Sequence, residues 1–214
     1  MKVLLIGANG QIGRHLVDLF QNSNNHTVRA MVRKKEQAEA FDKKGVETVV
    51  ADLEGTVDEL AEAAKGCDAI IFTAGSGGHT GADKTLLVDL DGAVKSMEAA
   101  EKAGVDRYLM VSAHQAHNRE NWNQKIKHYY VAKHYADKAL QASKLNYTIV
   151  RPGGLLNDAG TGKVAIAENL KRGSIPREDV AKTVFAALDE KNTYRRAFDL
   201  IAGDTPVEEA LKSL

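Results

Sequence analysis

Two side chains of the segment KHYYVAKHYADKAL, Tyr129 and Lys133, lie four residues apart. At this spacing they share one face of a helix. An ammonium beside a phenol favours the phenolate and lowers the tyrosine pKa from about 10, so the pair could transfer a proton near neutral pH. Ser112 ends an earlier apolar run, and its hydroxyl could orient the oxygen of a substrate. The alternative is a partly buried tyrosine beside a lysine whose aliphatic stem packs on apolar surface.

A second motif with chemical potential follows the first apolar run, where Gly7, Gly10 and Gly13 have the spacing G-x-x-G-x-x-G. Where a strand turns into a helix, the first helical N–H groups lack partners and can bind an anion. Glycine allows the backbone to approach a pyrophosphate closely. An ordinary strand-to-helix turn is the alternative. The position in the chain favours dinucleotide binding through Gly7, Asn9, Gly10, Gln11, Ile12 and Gly13.

The end of the second apolar run distinguishes between the two nicotinamide dinucleotides. An NAD site usually has an acidic residue there, about 20 residues after the glycines. This chain has Arg33, Lys34 and Lys35 instead, in VRAMVRKKEQ. A guanidinium at Arg33 can pair with a 2′-phosphate and stack on adenine. The sequence therefore favours NADP over NAD, although a solvated basic helix start is the simpler alternative.

Further candidates for cofactor binding follow the third and fourth apolar runs. Asp52 could accept a hydrogen bond from the adenine amino group, and small residues in IIFTAGSGG would let a ribose lie against the backbone. Ligands of open α/β sheets bind beyond the carboxyl ends of the strands, where these residues are expected. The additional predicted cofactor residues are Asp52, Leu53, Thr73, Ala74 and Gly75.

The elements that must position these residues alternate between strand and helix. The apolar runs predict strands over Lys2–Ile6, Thr27–Val32, Val46–Val50, Ala69–Thr73, Arg107–Ser112 and Tyr147–Val150, with helices between them, and the final third adds a helix over Glu178–Leu188 and a strand over Ala197–Ile201. Such alternation predicts an α/β fold, with a doubly wound parallel sheet and helices on both faces. We expect one domain over residues 1–214, with residues 153–175 as a small appendage on the substrate side.

In order along the chain, the glycine motif, Asp52, TAG at Thr73–Gly75, Ser112, Tyr129-x-x-x-Lys133 and RPGG at Arg151–Gly154 resemble the short-chain dehydrogenase/reductase superfamily. The chain is most similar to its atypical NAD(P)-binding, epimerase/dehydratase-like group. The resemblance implies a Rossmann-like sheet ordered 3-2-1-4-5-6 with a seventh strand. It also implies proton transfer by Tyr129 and Lys133, binding of the reacting oxygen by Ser112, and a nicotinamide bordered by Pro152 and Gly153.

Composition narrows the partners and the compartment. Lys plus Arg and Asp plus Glu both number 29, so no net charge favours binding to nucleic acid or an anionic membrane. A single cysteine excludes an intramolecular disulfide, and we expect a cytoplasmic protein that acts on a small molecule as a monomer or homodimer. His114 and His117 lack a third ligand, so no metal is predicted. His114, Gln115 and Trp122 are instead candidates for the substrate pocket or for an exposed loop.

The sequence is compatible with three functions. The first is an NADP-dependent oxidoreductase that transfers hydride to or from a small carbonyl or alcohol. The second is an epimerase or dehydratase that retains its cofactor. The third is a non-catalytic redox sensor that binds NADP.

Overall fold

Eleven strands and eight α-helices alternate along the chain in the computed structural model, which describes residues 1–214. The strands are β1 (Lys2–Ile6), β2 (Thr27–Val32), β3 (Glu47–Val50), β4 (Ala69–Phe72), β5 (Arg107–Val111), β6 (Asn146–Pro152), β7 (Gly154–Leu156), β8 (Lys163–Ala167), β9 (Ser174–Pro176), β10 (Arg196–Ala202) and β11 (Thr205–Pro206). The helices are α1 (Gln11–Gln21), α2 (Lys35–Asp42), α3 (Val57–Ala64), α4 (Ala82–Lys84), α5 (Ala93–Ala103), α6 (Lys127–Ala142), α7 (Arg177–Ala186) and α8 (Val207–Lys212).

Nine of the strands form one central sheet in the order β11-β8-β10-β6-β5-β4-β1-β2-β3. Strands β1 to β6 run parallel to one another, and β10 runs parallel to β6, whereas β8 pairs antiparallel with β10 and with β11. The predicted doubly wound sheet and its 3-2-1-4-5-6 order are therefore confirmed. The seventh parallel strand is β10, with Phe198 opposite Val150 of β6.

Both faces of the central sheet are buried, which explains why its inner strands are almost continuously apolar. Successive side chains of a strand point to opposite faces. In β1, Val3 and Leu5 belong to the core on one face, with residues of α1 and α7, while Leu4 and Ile6 belong to the core on the other face, with residues of α3, α5 and α6. The two cores fix the sheet, and with it the edge at which the parallel strands end.

The segment of residues 153–175 differs from the predicted appendage. Strands β7 and β9 form a separate two-stranded parallel sheet, but β8 between them joins the central sheet beside β10. These strands have three to five residues, and all of β7 is exposed, so they show little of the hydrophobic pattern by which a strand is recognised.

The sequence predicts one long helix around Lys84–Ala103, and the structure interrupts it. Between α4 and α5, Thr85–Gly92 forms a π-helical segment, a rare geometry that is frequent at functional sites. A Cβ on Gly92 would lie 3.0 Å from the Cβ of Leu53. Because Gly92 has no side chain, Leu53 can pack closely against this segment. None of the helices in the fold has the length and apolar character needed to cross a lipid bilayer.

Candidate active site

The glycine turn between β1 and α1 is shaped by close backbone contacts. Gly7 has a φ of +90°, and a Cβ there would lie 2.6 Å from the backbone nitrogen of Ala74. A Cβ on Gly13 would collide with the carbonyl oxygen of Gly7 and come within 2.8 Å of the Ala8 Cα. Glycine at both positions allows the turn to lie against β4 and allows α1 to pack directly on the turn.

Gly10, the middle glycine of the motif, is the N-cap residue of α1. Its φ of −70° is open to any residue, but a Cβ would lie 3.2 Å from the Gly7 carbonyl oxygen, to which the Gly10 N–H donates at 2.9 Å. No side chain caps the helix. The N–H groups of its first turn, which starts at Gln11, are therefore open to an anionic ligand.

A cleft of about 470 Å³ opens where β1 to β4 end. Nine of the predicted cofactor residues line it: Gly7, Asn9, Gly10, Arg33, Asp52, Leu53, Thr73, Ala74 and Gly75. Ile12 and Gly13 are buried in α1, and Gln11 is exposed at its start. The sequence analysis missed other lining residues, among them Gln37, Ser76, His79 and Lys84. The cleft is therefore built from the ends of four adjacent strands.

Some polar groups of this cleft already have hydrogen-bond or ion-pair partners within the protein, and others are free to bind a ligand. No carboxylate lies within 4 Å of the Arg33 guanidinium in the ion pairs of the structure, and neither Lys34 nor Lys35 reaches the cleft. One oxygen of Asp52 accepts from the Glu54 N–H at 3.0 Å, which leaves Oδ2 for a ligand. The Thr73 hydroxyl donates to the Ile6 carbonyl at 3.0 Å and so joins β4 to β1.

A second cavity, of about 300 Å³, lies where β5 and β6 end and α6 begins. Its lining residues are Ser112, Ala113, His114, Asn123, Tyr129, Tyr130, Pro152, Gly153, Gly154, Leu155, Arg172 and Gly173. Because β5 and β6 are parallel to β4, this cavity and the cleft lie along the same carboxyl-terminal edge of the sheet. The cavity contains the predicted Ser112, Tyr129, Pro152 and Gly153 but not Lys133.

Ser112 has a different hydrogen-bond partner from the expected one. Its hydroxyl donates at 2.5 Å to Oδ1 of buried Asp137, whose Oδ2 accepts from Arg151 Nε at 2.8 Å. A serine hydroxyl has one proton to donate. In this arrangement that proton is directed at Asp137, and Ser112 does not offer it to an oxygen in the cavity.

The Lys133 ammonium contacts the backbone, and burial acts on the pKa of Tyr129 in the direction opposite to the one expected. The Lys133 ammonium is buried and donates to the Val111 carbonyl at 2.9 Å, beneath the end of β5. Burial raises the pKa of Tyr129 above its usual value of 10, and the negative charges of Asp89 and Asp137 raise it further. Burial lowers the pKa of Lys133, opposed by the same two carboxylates. Desolvation therefore has a larger effect than the attraction expected from the helical spacing.

Comparison with known proteins assigns the chain to a family. The model of the NAD(P)H-binding family matches residues 7–191. Bacillus subtilis YhfK, described as an uncharacterized sugar epimerase, is 68% identical over the full length of both chains. A Bacillus halodurans structure named after the NAD-dependent epimerases/dehydratases covers all of both chains at 42% identity and a TM-score of 0.94. Escherichia coli ChuY, an anaerobilin reductase, is 26% identical with a TM-score of 0.82, over 95% of this chain and 98% of its own.

The chain belongs to the NAD(P)H-binding family. Its similarity to epimerase/dehydratase-like proteins and to a reductase agrees with the atypical short-chain dehydrogenase/reductase group. The sequence motifs of this group identify residues that directly follow a strand and therefore lie at the carboxyl-terminal edge of the sheet. Asp137 and Asp199 belong to none of these motifs, and their contacts depend on distant segments. Arg151 belongs to the RPGG motif, but its ion pair with Asp137 was not predicted.

Asp199 of β10 positions the loop after β5 in this NAD(P)H-binding protein. Its carboxylate is fully buried and accepts from the backbone N–H of Gln115 at 3.1 Å, from the side-chain amide of Gln115, and from the N–H of Leu170 at 3.0 Å. Gln115 has a φ of +56°, which the two bonds to Asp199 help to stabilise. The same loop directs His114 into the second cavity.

Of the loop residues proposed for the pocket, only His114 lines the cavity. Gln115 is bound to Asp199, and Trp122 lies behind the wall, with its ring centroid 6.1 Å from that of Tyr130. His117 bonds to Asn169 at 2.8 Å. No group of three or more His, Cys, Asp or Glu side chains is arranged to hold a metal ion.

Proposed function

We propose that the protein is an NADP-dependent oxidoreductase that transfers a hydride between the cofactor and a small carbonyl or alcohol. The observation that carries the proposal is the position of Tyr129, which lines a cavity with Pro152 and Gly153. That cavity lies on the same sheet edge as the cleft that contains Arg33. Family membership supports binding of NAD(P), and the relationship to an anaerobilin reductase supports reduction.

The cleft fits the adenosine and pyrophosphate parts of NADP. The unpaired guanidinium of Arg33 would pair with the 2′-phosphate, and Oδ2 of Asp52 would accept from the adenine amino group. The open N–H groups at the start of α1 would bind the pyrophosphate, which can approach because Gly7 and Gly10 lack side chains. Pro152 and Gly153 would border the nicotinamide.

Tyr129 would supply the proton of the reaction. When bound, the cofactor supplies a hydride to the carbonyl carbon, and the carbonyl oxygen must gain a proton to become a hydroxyl. Because burial raises the pKa of Tyr129, its hydroxyl stays protonated at neutral pH and is suited to donate. This favours reduction of a carbonyl over oxidation of an alcohol.

Lys133 and Ser112 would hold α6 in position against β5 without contacting the substrate. Lys133 binds the backbone at the end of β5, and Ser112 binds the Asp137–Arg151 ion pair. Both contacts fix the first turns of α6 relative to β5 and so fix the position of Tyr129. We assign the two residues to positioning rather than to contact with the substrate.

An epimerase remains the second candidate, because YhfK is described as one and is 68% identical. Counting NADPH against product separates the two activities. The protein is mixed with NADPH and a panel of aldehydes and ketones, and the loss of NADPH absorbance is compared with the product formed. A reductase consumes one NADPH for each alcohol, whereas an epimerase forms product without net consumption. Tight binding of NADP without turnover of any compound would instead favour a redox sensor.

A further inference from the structure

We propose that the second cavity binds an anionic group of the substrate, a carboxylate or a phosphate, through Arg172 and His114. The inference deepens the proposed function and rests on it only in naming the ligand as the substrate. It depends on the charge of the cavity wall, the free donors of Arg172, and the unpartnered ring of His114.

The wall of this cavity has one formal charge, and that charge is positive. Arg172 is the only Lys or Arg among the lining residues, and none of them is Asp or Glu. The nearby carboxylates of Asp137 and Asp199 lie behind the wall and are occupied. Asp137 binds Arg151 and Ser112, and Asp199 accepts three N–H groups from the adjacent loops. An anionic group in the cavity would therefore meet the guanidinium of Arg172, while the negative charge of Asp199 lies behind His114.

Arg172 retains most of its donors for a ligand. One nitrogen, Nη2, donates to the Asn121 carbonyl at 3.1 Å, which holds the guanidinium against the loop. Arg172 takes part in none of the ion pairs of the structure, and a guanidinium has five N–H donors in a fork that matches a carboxylate or a phosphate. Its charge also reaches Tyr130 in the same wall, where burial raises the pKa of the hydroxyl and Arg172 opposes that rise.

His114 supplies the second, independent observation. Its residue is only 8% exposed, and neither ring nitrogen has a hydrogen-bond partner. Nδ1 lies 3.8 Å from Oδ2 of Asp199, which is too long for a hydrogen bond. Buried polar groups without partners are rare in folded proteins. A ligand oxygen in the cavity, which Arg172 also lines, would give a ring nitrogen a partner.

The only tryptophan, Trp122, allows occupancy of the cavity to be measured without any turnover. It is stacked against Tyr130, a wall residue, so its fluorescence should respond when the cavity fills. The NADP⁺-loaded protein is titrated with benzoate, phenyl phosphate and benzamide, which share a ring and differ in charge. We expect at least one of the two anions to bind about tenfold more tightly than benzamide. The tighter of the two identifies the anionic group.

Two matched variants test the assignment to Arg172. Arg172→Gln should remove the preference for anions, whereas Lys171→Gln deletes the neighbouring exposed charge outside the cavity and should retain it. His114→Leu should weaken anion binding further than His114→Gln, which keeps polar atoms. An unchanged affinity in Arg172→Gln or in His114→Leu would remove that residue from the proposal.

Equal binding of benzamide and the anions, or no binding of any probe, would overturn the proposal. The readout is independent of the reductase activity. Anion selectivity that requires Arg172 in a protein that consumes no NADPH would keep the anion site and refute the reductase. Consumption of NADPH without anion selectivity would do the reverse.

Discussion

Burial raises the pKa of the Tyr129 hydroxyl, so we expect this hydroxyl to donate a proton rather than to accept one. Asp89 and Asp137 raise its pKa together with burial, and the ammonium of Lys133 is directed to the end of β5. The same two carboxylates favour the charged form of Lys133 against its desolvation, so Lys133 is held as part of a buried network.

The pH dependence of reduction follows from the raised pKa of Tyr129. The acid form is present below the pKa and is lost as the pH rises through it, so kcat/KM should stay level through neutral pH and fall only above about pH 10. The measurement is a pH profile of NADPH oxidation with a carbonyl substrate that does not titrate in this range. A loss of activity centred near pH 7 to 8 would show that Tyr129 has a lowered pKa, or that another group donates the proton.

We expect the proposed preference for NADP to depend on Arg33 alone among the three neighbouring cations, because only Arg33 lines the cleft. Arg33→Gln should weaken NADPH binding by roughly 10- to 100-fold, the value of a charge-assisted pair, and leave NADH binding almost unchanged. Fluorescence titration with both cofactors measures the ratio. Lys34→Gln is the control and should retain the preference. A ratio that is the same in Arg33→Gln and wild type would contradict this role.

We expect cofactor binding to depend most on the start of α1. The helix lies so close to the turn that neither Gly7 nor Gly13 has room for a side chain. Its position is fixed from the other side by buried residues such as Leu16 and Val17, which pack with β1. Helix and strand together aim the first N–H groups at the cleft.

Gly13→Ala should separate α1 from the turn. The added methyl would overlap the Gly7 carbonyl oxygen, at a cost of about 1–3 kcal/mol in the free energy of unfolding. The shift should also weaken NADPH binding. Thermal melting and cofactor titration measure the two effects, with Gly78→Ala as control because its Cβ would meet open space. Wild-type affinity in Gly13→Ala would show that this contact does not shape the site.

The sequence predicts the elements that build the cofactor cleft better than those that build the second cavity. The cleft is formed by short spans, each a strand followed directly by a turn, so the residue types at strand ends identify Arg33 and Asp52. The second cavity joins segments far apart in the chain. The direction of the Ser112 hydroxyl depends on Asp137, 25 residues later, and the place of Arg172 depends on the pairing of β7 and β9, two strands of three residues each.

On the scale of the whole molecule, the last strands complete the site that the first six begin. Strand β10 joins the sheet beside β6, and its Asp199 reaches the loops of both Gln115 and Leu170. The second cavity therefore depends on the C-terminal part of the fold, whereas the cofactor cleft is built from residues before 90.

Asp199→Asn should disturb the second cavity and leave the cofactor cleft unchanged. The variant has one acceptor oxygen fewer for its three N–H donors, so the free energy of unfolding should fall by about 1–3 kcal/mol. The KM for the carbonyl should rise while NADPH affinity stays at the wild-type value. Asp204→Asn, an exposed neighbour beyond β10, serves as control. Equal weakening of cofactor and carbonyl binding would show that the two cavities are not independent.

Removal of the Tyr129 hydroxyl shows directly whether this residue supplies the proton for reduction. Tyr129→Phe removes only the hydroxyl, so NADPH affinity should stay unchanged while kcat/KM for carbonyl reduction falls roughly 100- to 10,000-fold. Tyr135→Phe is the matched control, because Tyr135 lies on the same helix, is exposed, and bonds only to Arg119. The measurement is the rate of NADPH oxidation by the two variants and wild type on one carbonyl substrate. A rate in Tyr129→Phe equal to that of wild type would contradict the account.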